Sequence, residues 1–238
     1  MLGLIVIVLM TLAAVFAPII APFGYEQQDL YHIFAAPGGD HLFGTDNLGR
    51  DILSRLLYGG RQSLKIGIVS VAIASTLGII IGSIAGFYGG RVDNLLMRFL
   101  DIFQAVPALL MSIAIATTLG PGINNAMLAI GITTIPGYAR MTRASFMSVR
   151  GMEYVEAATA INATDFRIIL KHILPNAISP MIVQITMGVA SSILAAASLS
   201  FMGLGAQPPL PEWGAMLSAG RTYIRDYPYL CIIPGVVI

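Results

Sequence analysis

The chain has 238 residues, of which 56% are hydrophobic and only 11% are charged, and its mean hydropathy is +0.81. Soluble domains carry roughly 25% charged residues, so this composition is typical of a membrane protein. The net charge of +1 does not indicate a nucleic-acid partner, and the single cysteine, Cys231, excludes an internal disulfide and any multi-cysteine metal site.

Uncharged runs mark the candidate membrane spans, because about 20 apolar residues in a helix cross a hydrocarbon core of about 30 Å. The uncharged run at 102–139 is long enough for two crossings, and turn residues at 120–125 divide it. The sequence therefore predicts an all-α membrane protein of one domain, residues 1–238, with six spans at roughly 3–20, 66–87, 102–119, 123–140, 177–203 and 228 onward. The last run is too short to cross, so we expect an incomplete final helix and a missing segment before the first span.

The loop at 21–65 is expected to end in an amphipathic helix. Its apolar residues Ile52, Leu53, Leu56 and Leu57 share one face, and Asp51 and Arg55 lie opposite. The pair Gly59-Gly60 is predicted to end this helix. Two interpretations remain open: the helix lies along the membrane surface, or it packs on the rim of the helix bundle.

A charged, helix-prone segment runs from Glu156 to Asn176, EAATAINATDFRIILKHILPN, between long apolar runs. It predicts two short helices joined by a bend, the first over 151–161 and the second beginning at a cap at Thr164 or Asp165. In the second helix Phe166, Ile169, Leu170 and Ile173 fall at helical spacing until Pro175 interrupts it.

This segment resembles the EAA loop of ABC importer permeases, which reads Glu-Ala-Ala, three residues, Gly, nine residues, a hydrophobic or His position, and then Leu-Pro. Asn162 stands at the Gly position, where the resemblance implies a bend with a left-handed backbone that Asn tolerates well. A second stretch, His41 to Asp51, resembles the F-G-T-D, two residues, G-R-D signature of the branch that serves dipeptides, oligopeptides and nickel. The chain is thus similar, nearly end to end, to a second-type permease of that branch, and the resemblance implies a type I ABC importer permease fold.

The resemblance also implies where the partners bind. Lys and Arg divide seven to six between the two sides, which leaves the orientation open, and the resemblance places the EAA-like loop, 141–176, in the cytoplasm. There it implies docking on an ATPase subunit through a small-residue face and the Leu-Pro, formed by Glu156, Ala157, Ala158, Ala160, Asn162, Leu174 and Pro175. The loops at 21–65 and 204–227 are then extracytoplasmic, and the second receives a substrate-binding protein, with Glu212, Arg221, Arg225 and Asp226 as candidate contacts.

The implied assembly has a second permease subunit, two ATPase subunits that hold ATP and Mg, and the binding protein, in a bacterial or archaeal inner membrane. Peptides are the first expected solute, and nickel or a nickel chelate is the alternative. The aromatic residues Trp213, Tyr223, Tyr227 and Tyr229 suit the membrane interface, and the spacing of Gly78, Gly82 and Gly86 favours close helix packing over a pore lining.

Several activities are excluded on the residues themselves. Both lysines, Lys65 and Lys171, follow Leu, so no nucleotide-binding P-loop is present, and there is no G-x-S-x-G nucleophile motif. The histidines lack metal-ligand spacing. We therefore expect no enzyme activity, no cofactor and no metal on this chain. The uncharged spans argue against a secondary carrier. A passive channel or carrier and a non-transporting scaffold remain as alternatives.

Overall fold

The computed structural model describes residues 2–238, and within them the regular secondary structure is helical, with two isolated β-bridges in the loop before residue 52. The helices are α1 Leu2–Val15, α2 Ala17–Ile20, α3 Ile52–Tyr88, α4 Gly90–Gln104, α5 Ala108–Leu119, α6 Ile123–Arg150, α7 Glu153–Ala160, α8 Asp165–Arg167, α9 Leu174–Phe201, α10 Trp213–Gly220 and α11 Tyr229–Val237. A π-helical turn, Ile168–Ile173, joins α8 to α9, and a 3₁₀ turn, Arg221–Tyr223, follows α10.

Two continuous helices in the described part of the chain are long and apolar enough to cross a membrane, Ile52–Tyr88 and Asp165–Phe201, each of 37 residues. Helices α4 and α5 together are also long and apolar enough to cross a membrane, but the pair is bent by 81°. The span predicted at 102–119 is therefore shorter, because α4 ends at Gln104 and Pro107 disfavours helix at the residue before it. The count of six spans stays a prediction.

The chain divides into two compact units. Unit 1 comprises 1–68, 115–127 and 192–238, and unit 2 comprises 69–114 and 128–191. The core of unit 1 is centred on Ile52, Leu56, Trp213 and Leu230. In unit 2 one cluster joins the end of α6 to α7 and the beginning of α9, and a second lies around Tyr138.

In unit 1 the prediction that Gly59-Gly60 ends a helix is wrong, because α3 continues through both glycines. A Cβ on Gly60 would lie 3.1 Å from Trp213 Cζ2, and one on Gly59 would lie 3.3 Å from Trp213 Cδ1. The glycines let the indole approach the helix backbone, and its Nε1 donates to the Leu56 carbonyl at 3.0 Å. Tertiary packing therefore explains them better than helix termination does.

The beginning of α3 is buried, which rules out the interpretation that it lies along the membrane surface with its polar face in water. Asp51 is 2% exposed and Arg55 is 7% exposed. Asp51 caps the helix by accepting from the Ser54 backbone N–H and hydroxyl, both at 2.7 Å. Arg55 donates to the Tyr25 carbonyl at 2.9 Å. The polar face is thus an internal anchor of unit 1.

The signature stretch at 41–51 folds into a tight loop that positions Asp51. Asp46 accepts from the backbone N–H groups of Leu48 and Arg50 at 2.9 and 3.0 Å, and from Arg50 Nε at 2.7 Å. Gly49 has φ +70°, and a Cβ there would lie 1.8 Å from the Asp29 carbonyl oxygen. Only glycine fits this position, so the signature residues have a structural role here.

In unit 2, α3 packs closely against α6 along the glycine stripe. A Cβ on Gly78 would lie 2.4 Å from Tyr138 Cβ, one on Gly82 would lie 2.3 Å from the Ala139 carbonyl oxygen, and one on Gly86 would lie 2.7 Å from Phe146 Cβ. The prediction that this spacing serves helix packing is confirmed, since no other residue type leaves room for the second backbone.

Candidate functional site

The segment that follows α6 forms a short helix anchored by one face only. Val155 and Ala158 of α7 are buried against Phe146, Ile168 and Ile173. The acidic residues of the first turn, Glu153 and Glu156, are exposed and favourably placed near the positive end of the helix dipole. The helix therefore presents an acidic and small-residue surface outward while its apolar residues hold it on unit 2.

The bend after α7 has the geometry that the sequence predicts. Asn162 has φ +57°, in the left-handed region. Its N–H donates to the Thr159 carbonyl at 2.9 Å, and the N–H of Ala163 donates to the Ala158 carbonyl at 3.1 Å. These two bonds form a Schellman motif, which ends a helix with a fixed turn. The bend is consequently a defined elbow.

The prediction that Pro175 interrupts the second helix is wrong. The helix continues from Asp165 to Phe201, and the π-helical turn Ile168–Ile173 comes immediately before Leu174-Pro175. A proline in a regular helix clashes with the carbonyl four residues earlier, and a wide π turn gives that carbonyl room. Asn176 Nδ2 reinforces the turn by donating to the His172 carbonyl at 2.7 Å.

The π turn also changes which side chains face inward. Ile168 and Ile173, five residues apart, are both buried, whereas Phe166 and Leu170 are exposed. The predicted apolar face of Phe166, Ile169, Leu170 and Ile173 is therefore split, because regular helical spacing does not hold across a π turn. As a result, the Phe166 side chain is exposed at the surface.

An open cleft of about 990 Å³ lies within unit 2 between the C-terminal ends of α3 and α6 on one side and the α7–α8 elbow on the other. Glu156, Asn162, Asp165 and Arg150 are among its lining residues. Tyr88, the last residue of α3, donates its hydroxyl to Asp165 Oδ2 at 3.0 Å. The cleft thus places charged groups of both signs around a concave surface beside the elbow.

Large apolar side chains are exposed around the same elbow. Ile161 is 80% exposed and Phe166 is 73% exposed, with Met152, Tyr154 and Leu170 also on the surface. Exposed apolar residues clustered beside a charged cleft are typical of a protein interaction surface. The sequence reasoning missed Ile161, although a large aliphatic residue beside a left-handed turn was the available signal.

The residues predicted for this site are not all at the surface. Glu156, Ala157, Ala160, Asn162 and Pro175 are exposed, and Leu174 is half-buried against the unit 2 core. Ala158 is buried in that core, so it holds α7 in place and does not present itself to a partner. The small-residue face therefore consists of Ala157 and Ala160.

The second predicted contact set lies in unit 1, and Glu212 does not belong to it. Its side chain is fully buried and caps α10 by accepting from the Gly214 and Ala215 N–H groups at 3.0 and 2.9 Å. Ser63 also donates to it, at 3.2 Å. A carboxylate satisfied in this way cannot meet a partner surface, so the prediction of a binding-protein contact at Glu212 is wrong.

Of the remaining residues in that set, Arg221, Arg225 and Asp226 are exposed, and Arg221 lies over the Phe201 ring at 4.8 Å. The predicted interface aromatics turn inward instead. Trp213 is buried, and Tyr227 stacks on Phe34 with ring centroids 4.2 Å apart. Aromatic residues beside an apolar run suit either the membrane interface or a protein core, and here they pack in the core of unit 1.

Two family models match this chain. Residues 78–238 match the binding-protein-dependent transport system inner membrane component, and residues 1–37 match the N-terminal transmembrane domain of oligopeptide transport permease C. The first match contains the glycine stripe, the elbow and the α10 region.

Similar curated proteins extend over nearly the whole chain. The dipeptide transport system permease protein of Alkalihalophilus pseudofirmus is 44% identical over 236 residues, which cover 99% of this chain and 78% of that protein. The glutathione transport system permease protein of Pectobacterium atrosepticum is 40% identical over 237 residues, which cover 99% of this chain and 78% of that protein.

Solved structures share the fold at low sequence identity. An inward-facing conformation of the MetNI methionine ABC transporter superposes with a TM-score of 0.64 at 18% identity, over 77% of this chain and 87% of that one. An amino acid ABC transporter gives a TM-score of 0.55 at 16% identity, over 74% of this chain and 81% of that one. These two structures show the fold. The family model over 78–238 and the 44% identity to the dipeptide permease show that the chain belongs to the family of binding-protein-dependent transport system inner membrane components.

Proposed function

We propose that this chain is the permease subunit of an ATP-driven importer of di- and oligopeptides and that it performs no covalent chemistry itself. Family membership supports a multi-pass transport subunit of the bacterial inner membrane. The names of the similar permeases, which specify dipeptides and glutathione, favour peptides over the nickel alternative. ATP and Mg would be held by ATPase subunits, and a second permease subunit would complete the path.

The coupling surface is the α7–α8 elbow with its cleft. The observation that carries this assignment is the exposure of Ile161 and Phe166 beside the charged cleft that Glu156 lines. Apolar anchors next to charged groups of both signs fit a protein surface that presents a complementary groove. Ala157 and Ala160 allow a partner backbone to approach α7 closely.

Motion of α7 would reach the membrane through one rigid path. The Schellman turn at Asn162 fixes the angle between α7 and the next helix, and that helix is continuous from Asp165 to Phe201. Closure of the ATPase dimer on ATP would pull α7 and, with it, the long helix. The path would then open outward to a binding protein, and hydrolysis would reset it. We retain Arg221, Arg225 and Asp226 as proposed contacts for that protein.

Charge reversal at Glu156 tests the coupling surface. Glu156→Lys places a cation in the cleft, so we expect peptide uptake and stimulated ATP hydrolysis to fall together while membrane insertion stays normal. Glu153→Lys is the matched control, because Glu153 is exposed on the same helix but does not line the cleft. The readouts are ATPase activity and uptake of a labelled dipeptide in vesicles containing the whole transporter.

Unchanged uptake in Glu156→Lys, or an equal loss in both variants, would contradict a role for the cleft. The same vesicles separate the alternatives for the whole protein. Uptake without ATP and ATPase subunits would indicate a channel or carrier, and no uptake of any solute under any condition would indicate a scaffold. Uptake of nickel in preference to dipeptide would overturn the proposed solute while leaving the coupling surface intact.

A further inference from the structure

Helix α4 has an exposed apolar sector that no part of unit 2 covers. Val92, Leu95, Phe99 and Ile102 are spaced by three, four and three residues, which places them on one side of the helix. Leu95 is 72% exposed and Ile102 is 67% exposed. A stripe of this kind on a 15-residue helix requires an apolar neighbour.

The opposite side of α4 is attached to α6 by ion pairs. Asp93 is buried and forms a two-pronged pair with Arg143, in which Nη2 donates to Oδ2 at 2.6 Å and Nε donates to Oδ1. Nearer the end of α4, Asp101 pairs with Arg140. These contacts fix the rotation of α4 about its axis, so the apolar sector points away from α6.

Two arginines border the apolar sector. Arg91 and Arg98 are seven residues apart, and seven residues are close to two helical turns, so both lie on one side, next to Leu95 and Ile102. Both are exposed, and neither forms an ion pair within residues 2–238. Beyond them Asn94 is exposed on the polar side. Around the circumference of α4, the apolar sector is therefore followed by the two arginines, then by the polar side with Asn94, and then by the side that pairs with α6.

The positions of charges along the chain place α4 at a membrane boundary. The uncharged run 66–90 ends directly before Arg91, and the uncharged run 102–139 begins after Asp101 and ends before Arg140. The ion pair between Asp101 and Arg140 joins the two ends of one charge-free stretch. Both ends therefore lie at the same depth relative to the membrane. The 81° bend before α5 turns α4 away from the direction of the apolar helix that follows.

We propose that α4 lies in the interfacial layer of the membrane, on the side that carries the elbow, with its apolar sector in the acyl-chain boundary and Arg91 and Arg98 at the phosphates of anionic lipids. An amphipathic helix with cations beside its apolar face has the chemistry that this layer selects. The long arginine side chains reach the phosphates while their methylene groups stay with the acyl chains.

The test uses single cysteines in the complete transporter, in a Cys231→Ser background, reconstituted into vesicles of phosphatidylcholine and phosphatidylglycerol. Spin labels at Leu95→Cys and Phe99→Cys should collide several-fold more often with oxygen than with a water-soluble nickel chelate. A label at the matched control Asn94→Cys should show the reverse order. The proposal is overturned if labels at 95 and 99 collide more often with the nickel chelate than with oxygen. It is also overturned if a second subunit shields these labels from both reagents.

A second measurement tests the arginines. A fluorophore at Leu95→Cys should be quenched more by a spin-labelled phosphatidylglycerol than by the corresponding phosphatidylcholine, because each arginine near the surface enriches anionic lipid up to roughly fivefold. The preference should disappear in Arg91→Gln/Arg98→Gln. Equal quenching by both lipids with the arginines present would overturn the assignment of the phosphates.

Discussion

Asn162 fixes the elbow, and replacing it with Ala should loosen the turn. The residue has φ +57°, and a left-handed backbone costs an ordinary L-residue about 1–2 kcal/mol. Asn tolerates this conformation better than Ala because its short polar side chain can bond locally. We therefore expect Asn162→Ala to destabilise the turn by about 1 kcal/mol, which raises its opening equilibrium roughly fivefold.

Hydrogen exchange of the two amides that close the turn measures this change directly. The N–H groups of residues 162 and 163 donate to the carbonyls of Thr159 and Ala158. In Asn162→Ala both should exchange roughly fivefold faster, as opening becomes that much more frequent. Amides in the middle of α9, on the continuous helix beyond the π turn, should keep their protection and provide the internal reference.

Asn162→Gly is the matched control, because glycine adopts positive φ at no steric cost and should keep the protection within about twofold. Dipeptide uptake should follow the same order, with the Gly variant close to the original protein and the Ala variant slower. Equal protection in all three proteins, or a loss in the Gly variant as large as in the Ala variant, would refute the reasoning that backbone strain at this position sets the elbow.

Two further substitutions test the packing of each unit. Gly82→Ala should cost about 2 kcal/mol of stability, because its Cβ would lie 2.3 Å from the Ala139 carbonyl oxygen. Gly137→Ala, with open space around its Cβ, should have no such effect, and the fraction of monodisperse protein after heating reports the difference. Glu212→Ala should cost about 2 kcal/mol of stability, because it leaves the N–H groups of Gly214, which is buried, and Ala215, which is half-buried, without their acceptor. The exposed Asp226→Ala should cost less than about 0.5 kcal/mol, so its monodisperse fraction after heating should stay close to that of the original protein. Equal heat tolerance within either pair would show that the contact does not stabilise the fold.

The elbow and the glycine stripe could be predicted because their causes lie within a few residues. A left-handed turn after a helix needs Gly or Asn, and Asn162 stands where the pattern requires one. Glycines four residues apart fall on one face of any helix, so Gly78, Gly82 and Gly86 indicate close packing whatever the partner is. The membrane class follows from composition in the same direct way.

Other predictions failed where one local signal has two possible causes. Gly59-Gly60 can end a helix or admit a ring, and Trp213, more than 150 residues away, decided between them. A glutamate at 212 can face solvent or cap a buried helix, and here it caps α10 because it is buried against Ser63. Leu174-Pro175 can stop a helix or follow a π turn, and the burial of Ile168 and Ile173 selected the turn.

Hydrophobicity and backbone preference act over a few neighbouring residues, so the amino-acid pattern was enough to predict a helical membrane protein with a bend at Asn162. The pattern did not predict which charges are buried, which glycines make packing contacts or which apolar residues remain at the surface. Those outcomes depend on partners distant in the chain, and burial is a property of the pair rather than of either residue alone.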